Sequence, residues 1–362
     1  MKIATIFGTR PEIIKLSPLI PLFDKEFKQI LIHTGQHYSY SMDKIFFEDL
    51  HLRDCDYSLT TGSGTHAQQT GKMLMMIEEV LIEENPELVI VQGDTNSTLA
   101  GALAASKLHI PVAHIEAGCR SFDKRMPEEI NRILVDHISD YLFAPDDEAF
   151  NNLINEGITV DKIYLVGSTS VDACLRAIDI FNQEKLNYSL VKEDYILLTL
   201  HRQENTTYTR LKEFLYAINI ISEKIKVLFP VHLRTRKIIL ENKIEISDNI
   251  ILTDPLGYKD FIVLLANSKF VMTDSGGIQE ESAVLNVPCF ILRDNTEWME
   301  YVKSGKNMII GTSPQKIIDI VFDMLDNEQK LVIMRQIEIQ VKHDASKLIV
   351  SILKDELSKK ED

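Results

Sequence analysis

Residues 2–15, KIATIFGTRPEIIK, decide the fold. Ile3–Phe7 is an apolar run too short for a signal peptide or a membrane span, and it predicts a buried β-strand. Gly8 permits a tight turn and Pro11 suits the first turn of a helix. The stretch therefore predicts strand, turn and helix, the repeating element of a parallel α/β sheet.

The same alternation of apolar runs and helical patterns continues along the chain. The first half predicts strands at Ile3–Phe7, Gln29–His33, Leu88–Gln92, Val112–Glu116, Tyr141–Ala144 and Ile163–Val166. The second half predicts strands at Tyr195–Leu200, Lys226–Phe229, Asn249–Leu252, Phe270–Thr273 and Cys289–Leu292. We therefore expect an α/β protein with two doubly wound, Rossmann-like domains of parallel strands that face a central cleft. The domains are predicted at 1–168 and 169–345, with a C-terminal helix at 346–362 that packs back on the first domain.

The amino-acid composition indicates the broad class of protein. The 362 residues carry 39 Lys and Arg against 54 Asp and Glu, a net charge of −15, and 45% of them are hydrophobic. This balance is typical of a globular, cytoplasmic protein, and it argues against nucleic-acid binding, which needs a basic face. The four cysteines are widely spaced, so we expect reduced thiols and neither a disulfide framework nor a metal site.

Charged side chains follow the predicted strands of the first half. Arg10 lies at the start of the first helix and Lys15 within its first two turns, where either could contact a phosphate or a sugar. Asp94 and Glu116 end two strands, and Glu128 follows in a PEEINR segment. Three acids at one sheet edge would suit proton transfer. Taken singly, these residues could also be surface cations, a helix cap or helix N-terminal charges.

The second half offers a complementary group. Residues 273–281, TDSGGIQEE, follow a strand and open a helix. Ser275, Gly276 and Gly277 would present backbone amides to a diphosphate, and Glu281 would accept from ribose hydroxyls. His201, after another strand, would add an anion contact. The alternatives are a capped glycine-rich loop and a packing histidine.

Together these segments resemble a known family. GTRPEIIK, TGQH, QGDTNST, HIEAG-x-RS, MPEEINR, LHRQEN and TDSGGIQEE occur in the order seen in the non-hydrolysing UDP-N-acetylglucosamine 2-epimerases. The resemblance implies a GT-B fold, a UDP-sugar substrate bound in the interdomain cleft, a homodimer, a role in surface polysaccharide biosynthesis, and neither a metal nor another cofactor.

The resemblance also implies a mechanism. UDP is eliminated anti to the C2 proton, a 2-acetamidoglucal forms, and re-addition delivers a proton to the opposite face of C2. Asp94, Glu116 and Glu128 resemble the acid-base carboxylates, and His201 is placed with them. The expected contacts to substrate are Arg10, Lys15, Phe261, Ser275, Gly276, Gly277 and Glu281. Phe261 matches a residue near the uracil.

Four alternatives remain open. Trp298 stands where many members have an arginine, as in relatives that epimerise UDP-2,3-diacetamido-2,3-dideoxyglucuronate. A uronate would need a cation such as Arg120, Lys124 or Arg125. A GT-B glycosyltransferase, a UDP-sugar-binding module and a hydrolysing epimerase are the other candidates.

Overall fold

The structure, a computed structural model, describes residues 1–36, 40–62, 64–184, 193–202, 205–296, 298–338 and 344–359. It divides into two compact units. Unit 1 contains Met1–Arg176 and Lys342–Asp362, and unit 2 contains Ala177–Val341. The division falls inside a helix that begins at Thr169, whereas the sequence places the boundary between 168 and 169.

Unit 1 is built on seven parallel strands, counted within the described residues. They are β1 (Lys2–Phe7), β2 (Lys28–His33), β3 (Tyr57–Ser58), β4 (Leu88–Gln92), β5 (Val112–Ile115), β6 (Tyr141–Ala144) and β7 (Ile163–Leu165). The helices are α1 (Arg10–Leu16), α2 (Ile20–Glu26), α3 (Tyr40–Asp49), α4 (His66–Glu84), α5 (Asn96–Lys107), α6 (Pro127–Ile138), α7 (Asp147–Asn155), α8 (Thr169–Glu184), which crosses into unit 2, and α16 (Ala345–Ser358).

The unit 1 sheet has the strand order β3-β2-β1-β4-β5-β6-β7. Strand β1 is buried along nearly its whole length and pairs with β2 on one side and β4 on the other. Helices cover both faces of such a sheet, which is why β1 is a continuous apolar run and not an alternating one. The order in which strands join the sheet reverses between β1 and β4, the position where ligands bind in doubly wound sheets.

Helix α16 packs against α2 within unit 1. The side chains of Ile349, Leu353 and Leu357 lie on its buried face. Its first turn is held by α8, because the Asp172 carboxylate accepts from the backbone N–H groups of Asp344 at 3.1 Å and Ser346 at 2.7 Å.

Unit 2 repeats the design with six parallel strands in the order β10-β9-β8-β11-β12-β13, again within the described residues. The strands are β8 (Tyr195–Thr199), β9 (Lys226–Pro230), β10 (Ile250–Thr253), β11 (Phe270–Thr273), β12 (Cys289–Ile291) and β13 (Asn307–Ile309). The helices are α9 (Tyr208–Ser222), α10 (Leu233–Glu241), α11 (Tyr258–Asn267), α12 (Gly276–Val284), α13 (Met299–Lys303), α14 (Pro314–Asp326) and α15 (Glu328–Gln336).

The predicted α/β class with two parallel sheets is confirmed. Every predicted strand is present to within two residues at each end, while the short strands β3 and β13 were not predicted. The four cysteines are free thiols, and Cys174 and Cys289 are buried. Across the described ranges, no helix is both long and apolar enough to cross a lipid bilayer.

Candidate active site

The carboxyl edge of the unit 1 sheet brings together the loops that follow β1, β4 and β5. Gly8 follows β1 and lies against Thr34, which follows β2, and Ser97 of α5. A Cβ atom at Gly8 would come within 1.9 Å of the Thr34 hydroxyl oxygen and 2.3 Å of the Ser97 hydroxyl oxygen. Only glycine fits here, because any larger side chain would collide with these hydroxyl groups. Close packing therefore requires glycine at the first turn.

The buried carboxylate of Glu12 ties the β1 loop to the β4 loop. It accepts from the Gly8 N–H at 3.0 Å and the Thr9 hydroxyl at 2.8 Å on one side. On the other side it accepts from the hydroxyls of Thr95 at 2.9 Å and Thr98 at 3.1 Å. Burial raises the pKa of Glu12, and these hydrogen bonds oppose that shift. The carboxyl group therefore holds two loops at a fixed distance.

Glu116 follows β5 with a backbone φ of 69°, in the left-handed region that non-glycine residues seldom occupy. This conformation costs energy and persists because the surrounding contacts hold it. The carboxylate Oε2 accepts from Lys15 Nζ at 2.5 Å and from Gln92 Nε2 at 2.6 Å. Groups from α1 and β4 thus converge on one carboxylate after β5 that remains about a quarter exposed.

Asp94 follows β4 and is held by α6. Arg132 of α6 donates to the Asp94 carboxylate and, at 2.9 Å, to Glu129. The backbone oxygen of Asp94 accepts from Asn131 Nδ2 at 2.9 Å. Burial raises the pKa of Asp94, and the nearby charge of Glu116 raises it further against the opposing Arg132. The N-cap of α5 is Thr95, so Asp94 is not needed as a cap.

The other predicted site residues of unit 1 are Glu128 and Arg10. Glu128 lies in the first turn of α6 and is exposed, whereas its neighbour Glu129 is buried and forms the ion pair with Arg132. Arg10 opens α1 with its guanidinium 5.2 Å from the centre of the Phe46 ring. Asp94, Glu116 and Lys15 are therefore brought together.

In unit 2, the glycine-rich segment forms the turn from β11 into α12, as predicted from the sequence. Ser275 is the N-cap of α12, and Gly276 and Gly277 are its first residues. A Cβ atom at Gly277 would meet no other atom within 4 Å, so the helix N-terminus is open at this point. The Ser275 N–H donates to the Thr273 hydroxyl at 3.0 Å, and the first-turn amides and positive dipole end of the helix favour an anion.

The fully buried side chain of Asp274 fixes this turn against the loop after β8. Its carboxylate accepts from the His201 N–H at 3.1 Å, the Arg202 N–H at 3.1 Å and Asn205 Nδ2 at 2.9 Å. His201 Nδ1 lies 2.8 Å from the same carboxylate, while more than half of the imidazole is exposed. Burial would raise the pKa of Asp274, but its hydrogen bonds and the His201 imidazole lower it. Asp274 therefore places His201 beside the N-terminus of α12.

The remaining predicted residues of unit 2 lie on α11 and α12. Glu281 Oε1 accepts from the Tyr258 hydroxyl at 3.0 Å. Phe261 is half-buried on the turn of α11 that follows Tyr258. Trp298 stacks on Tyr301 with the two rings 6.0 Å apart.

Sequence reasoning missed several residues that shape the site. They are Glu12, Gln92, Glu129, Asn131, Arg132 and Asp274. Helical spacing could have indicated Glu129 and Arg132. These two residues and Asp136 are spaced three and four positions apart, so they share one face of α6. The motif residues His37, Gln203 and Glu204 lie outside the described residues. Among the described residues, no three or more His, Cys, Asp or Glu side chains are grouped to hold a metal ion.

Two doubly wound parallel sheets, each with polar groups at its carboxyl edge, define a GT-B-like α/β protein. A family model described as UDP-N-acetylglucosamine 2-epimerase matches residues 23–354. The chain belongs to this family, as the sequence motifs predicted.

Individual relatives resemble the chain along most of its length. A Methanocaldococcus jannaschii protein named UDP-N-acetylglucosamine 2-epimerase is 50% identical over 343 residues, 91% of this chain and 93% of the relative. A Pseudomonas aeruginosa protein named UDP-2,3-diacetamido-2,3-dideoxy-D-glucuronate 2-epimerase is 46% identical over 327 residues, 88% of this chain and 91% of the relative. The crystal structure of the Methanocaldococcus jannaschii enzyme in complex with UDP-GlcNAc and UDP has a TM-score of 0.84 and 47% identity, covering 98% of this chain and 99% of that one.

Proposed function

We propose that this chain is an isomerase that interconverts UDP-N-acetylglucosamine and UDP-N-acetylmannosamine by inverting C2 of the sugar. The observation that carries the proposal is the pair of carboxyl groups at the unit 1 sheet edge. Glu116 faces an ammonium and an amide donor, whereas Asp94 faces the Arg132 guanidinium and its pKa is raised. Two carboxyls in such different surroundings suit a reaction that removes one proton and delivers another.

The proposed reaction balances in two steps. A carboxylate takes the C2 proton, the C1–O bond breaks with its electron pair leaving on UDP, and a C1=C2 double bond forms. In the second step a UDP oxygen attacks C1 and a protonated carboxyl delivers a proton to the opposite face of C2. Asp94 and Glu116 supply the proton transfers in this proposal, with Glu128 as a third candidate.

The group that leaves and returns is an anion, and unit 2 supplies the matching chemistry. The amides of Ser275, Gly276 and Gly277 open α12, and His201 lies beside them, held by Asp274. We assign the diphosphate to this turn, the ribose to Glu281 and the uracil to Phe261. Arg10 and Lys15 are assigned to the sugar and phosphates.

The proposal extends to the location, the oligomeric state and the biological role of the enzyme. The enzyme is proposed to act as a cytoplasmic homodimer and to supply surface polysaccharide biosynthesis. Support comes from the motif resemblance and from the four free thiols.

The diacetamido uronate is the competing substrate, because the 46% identical relative is named for it. Its extra carboxylate needs a cation. Arg120 does not meet that need, because its side chain is only 1% exposed and is paired with Asp136 and Glu156. Arg125 is exposed and paired with Asp123, which leaves Lys124, also exposed, as the remaining candidate of the three.

The test is a side-by-side turnover measurement on both UDP-sugars, with products separated by anion-exchange chromatography. The proposal predicts faster conversion of UDP-N-acetylglucosamine and no selective effect of Lys124→Ala. Faster conversion of the uronate, with a selective loss in Lys124→Ala, would replace the substrate assignment. Transfer of the sugar to an acceptor, or release of free N-acetylmannosamine, would overturn the reaction itself.

A further inference from the structure

The charged group of His114, Asp136, Arg120 and Glu156 has no part in the substrate contacts or proton transfers proposed above. His114 of β5 and Asp136 of α6 are both fully buried, with His114 Nδ1 and Asp136 Oδ1 2.6 Å apart. Asp136 Oδ2 also lies 2.7 Å from Arg120 Nη2 and accepts from the Gly118 N–H at 3.1 Å. Arg120 in turn donates to Glu156 from Nε at 2.8 Å.

Both ring nitrogens of His114 face acceptors. Nδ1 faces the Asp136 carboxylate, and Nε2 lies 2.8 Å from the backbone carbonyl oxygen of Gly93. A carbonyl oxygen has no proton to give, so a stable contact at Nε2 requires the ring to donate there. Asp136 Oδ2 lies 2.7 Å from the charged guanidinium of Arg120, which favours the ionised carboxylate, so Oδ1 accepts and Nδ1 donates too. The ring therefore carries two protons.

Charge counting supports this assignment. A doubly protonated His114 and Arg120 give two positive charges, and Asp136 and Glu156 give two negative ones. Burial would raise the pKa of Asp136, but His114 and Arg120 lower it. The group is then neutral overall, with Glu156, whose side chain is 26% exposed, at its solvent-facing end.

The contacts of this group reach the loops that carry the two acids. The Gly93 carbonyl held by His114 belongs to the residue before Asp94, and Gly93 N–H donates to Ile115 O at 3.0 Å, next to Glu116. The Gly118 N–H held by Asp136 lies two residues after Glu116. One buried pair thus fixes the backbone on both sides of the proposed reaction centre.

We propose that His114 and Asp136 are positioning residues, with His114 held as a buried imidazolium that clamps the β4 and β5 loops in the geometry needed for proton transfer at C2. For its kinetic readout this inference rests on the proposed function. Its first test does not depend on activity.

That test is nitrogen-15 NMR of histidine-labelled wild-type protein at about pH 8, where a solvent-exposed histidine ring carries one proton. We expect a ring with both nitrogens protonated, assigned to His114 because it disappears in His114→Asn or His114→Gln and persists in His201→Asn. Rings that are all neutral at this pH would overturn the proposal, whether or not either His114 variant folds.

The second test is kinetic. In folded His114→Asn we expect kcat to fall about 100-fold, the scale of a 1 Å misplacement, with KM changed less than about threefold. His137→Asn is the matched control, because His137 is the exposed neighbour of Asp136 on α6. Wild-type kcat in folded His114→Asn would refute the positioning role. An inactive wild-type protein that shows the doubly protonated ring would refute the proposed function and leave the buried imidazolium supported.

Discussion

Replacing Asp94 with asparagine should remove activity without removing stability. The Asp94 carboxylate is held against α6 by Arg132, and burial together with the Glu116 charge raises its pKa. A carboxyl with a raised pKa is more costly to keep charged in the folded state than in the unfolded state. Asparagine removes that cost, and Arg132 keeps its second partner Glu129.

The expected magnitudes differ between the two readouts. Turnover should fall at least about 100-fold, or about 2.7 kcal/mol in the activation barrier, the usual scale for a positioned acid-base group. The free energy of unfolding should stay within about 1 kcal/mol of wild type or increase. UDP affinity should be retained, because Asp94 is not among the proposed contacts to UDP. Turnover is read by chromatography, stability by thermal unfolding and UDP binding by calorimetry.

Glu129→Gln is the matched control, since Glu129 is the other carboxylate on Arg132. It accepts from the Ser121 N–H at 2.9 Å, the Ser121 hydroxyl at 3.0 Å and the Phe122 N–H at 2.9 Å. Burial would raise the pKa of Glu129, but these donors and Arg132 lower it, so its charge stabilises the fold. Glutamine should therefore cost about 3 kcal/mol. Near-wild-type turnover in Asp94→Asn, or a loss of stability in it as large as in Glu129→Gln, would refute this reasoning.

Two further predictions concern unit 2. Gly277→Ala should preserve thermal stability or raise the free energy of unfolding by up to about 1 kcal/mol, because a Cβ there meets no other atom. The same variant should bind UDP more weakly in calorimetry. Unchanged UDP affinity would contradict the assignment of the diphosphate to this turn. Asp274→Asn should cost about 2–4 kcal/mol at neutral pH, because a buried carboxylate with a lowered pKa loses its charge. That difference should shrink as the pH falls below the ordinary aspartate pKa of about 3.9 and the wild-type carboxylate is protonated; a pH-independent difference in unfolding scans would contradict it.

The strands could be predicted because buried parallel strands are continuous apolar runs. Phe270–Thr273 and Leu88–Gln92 have the bounds expected from the sequence. Two short strands and one strand end differ from the prediction. Strand β3, Tyr57–Ser58, spans two residues and carries no apolar run to detect, whereas β13, Asn307–Ile309, lies in a short apolar run that the sequence analysis did not single out. Glu116 was expected to end β5, but its left-handed φ turns it out of the strand.

The site was only partly predictable, because motif positions do not say which way a side chain points. In α6 the helix phase buries Glu129 and exposes Glu128, and a single-residue shift on a helix turns a side chain by about 100°. Gln92 lies inside a strand and reaches Glu116 from the neighbouring strand, a contact that depends on sheet register. Such contacts follow from tertiary packing.

Proton NMR of UDP-N-acetylglucosamine incubated with the protein in D₂O tests the central claim most directly. Removal and return of the C2 proton predicts that UDP-N-acetylmannosamine appears with deuterium at C2, and that Asp94→Asn slows both events together. Epimer formed with its C2 proton retained would contradict proton transfer through solvent-exchanging carboxyl groups. A folded protein that leaves both the spectrum and the C2 proton unchanged would contradict the proposed reaction on this substrate.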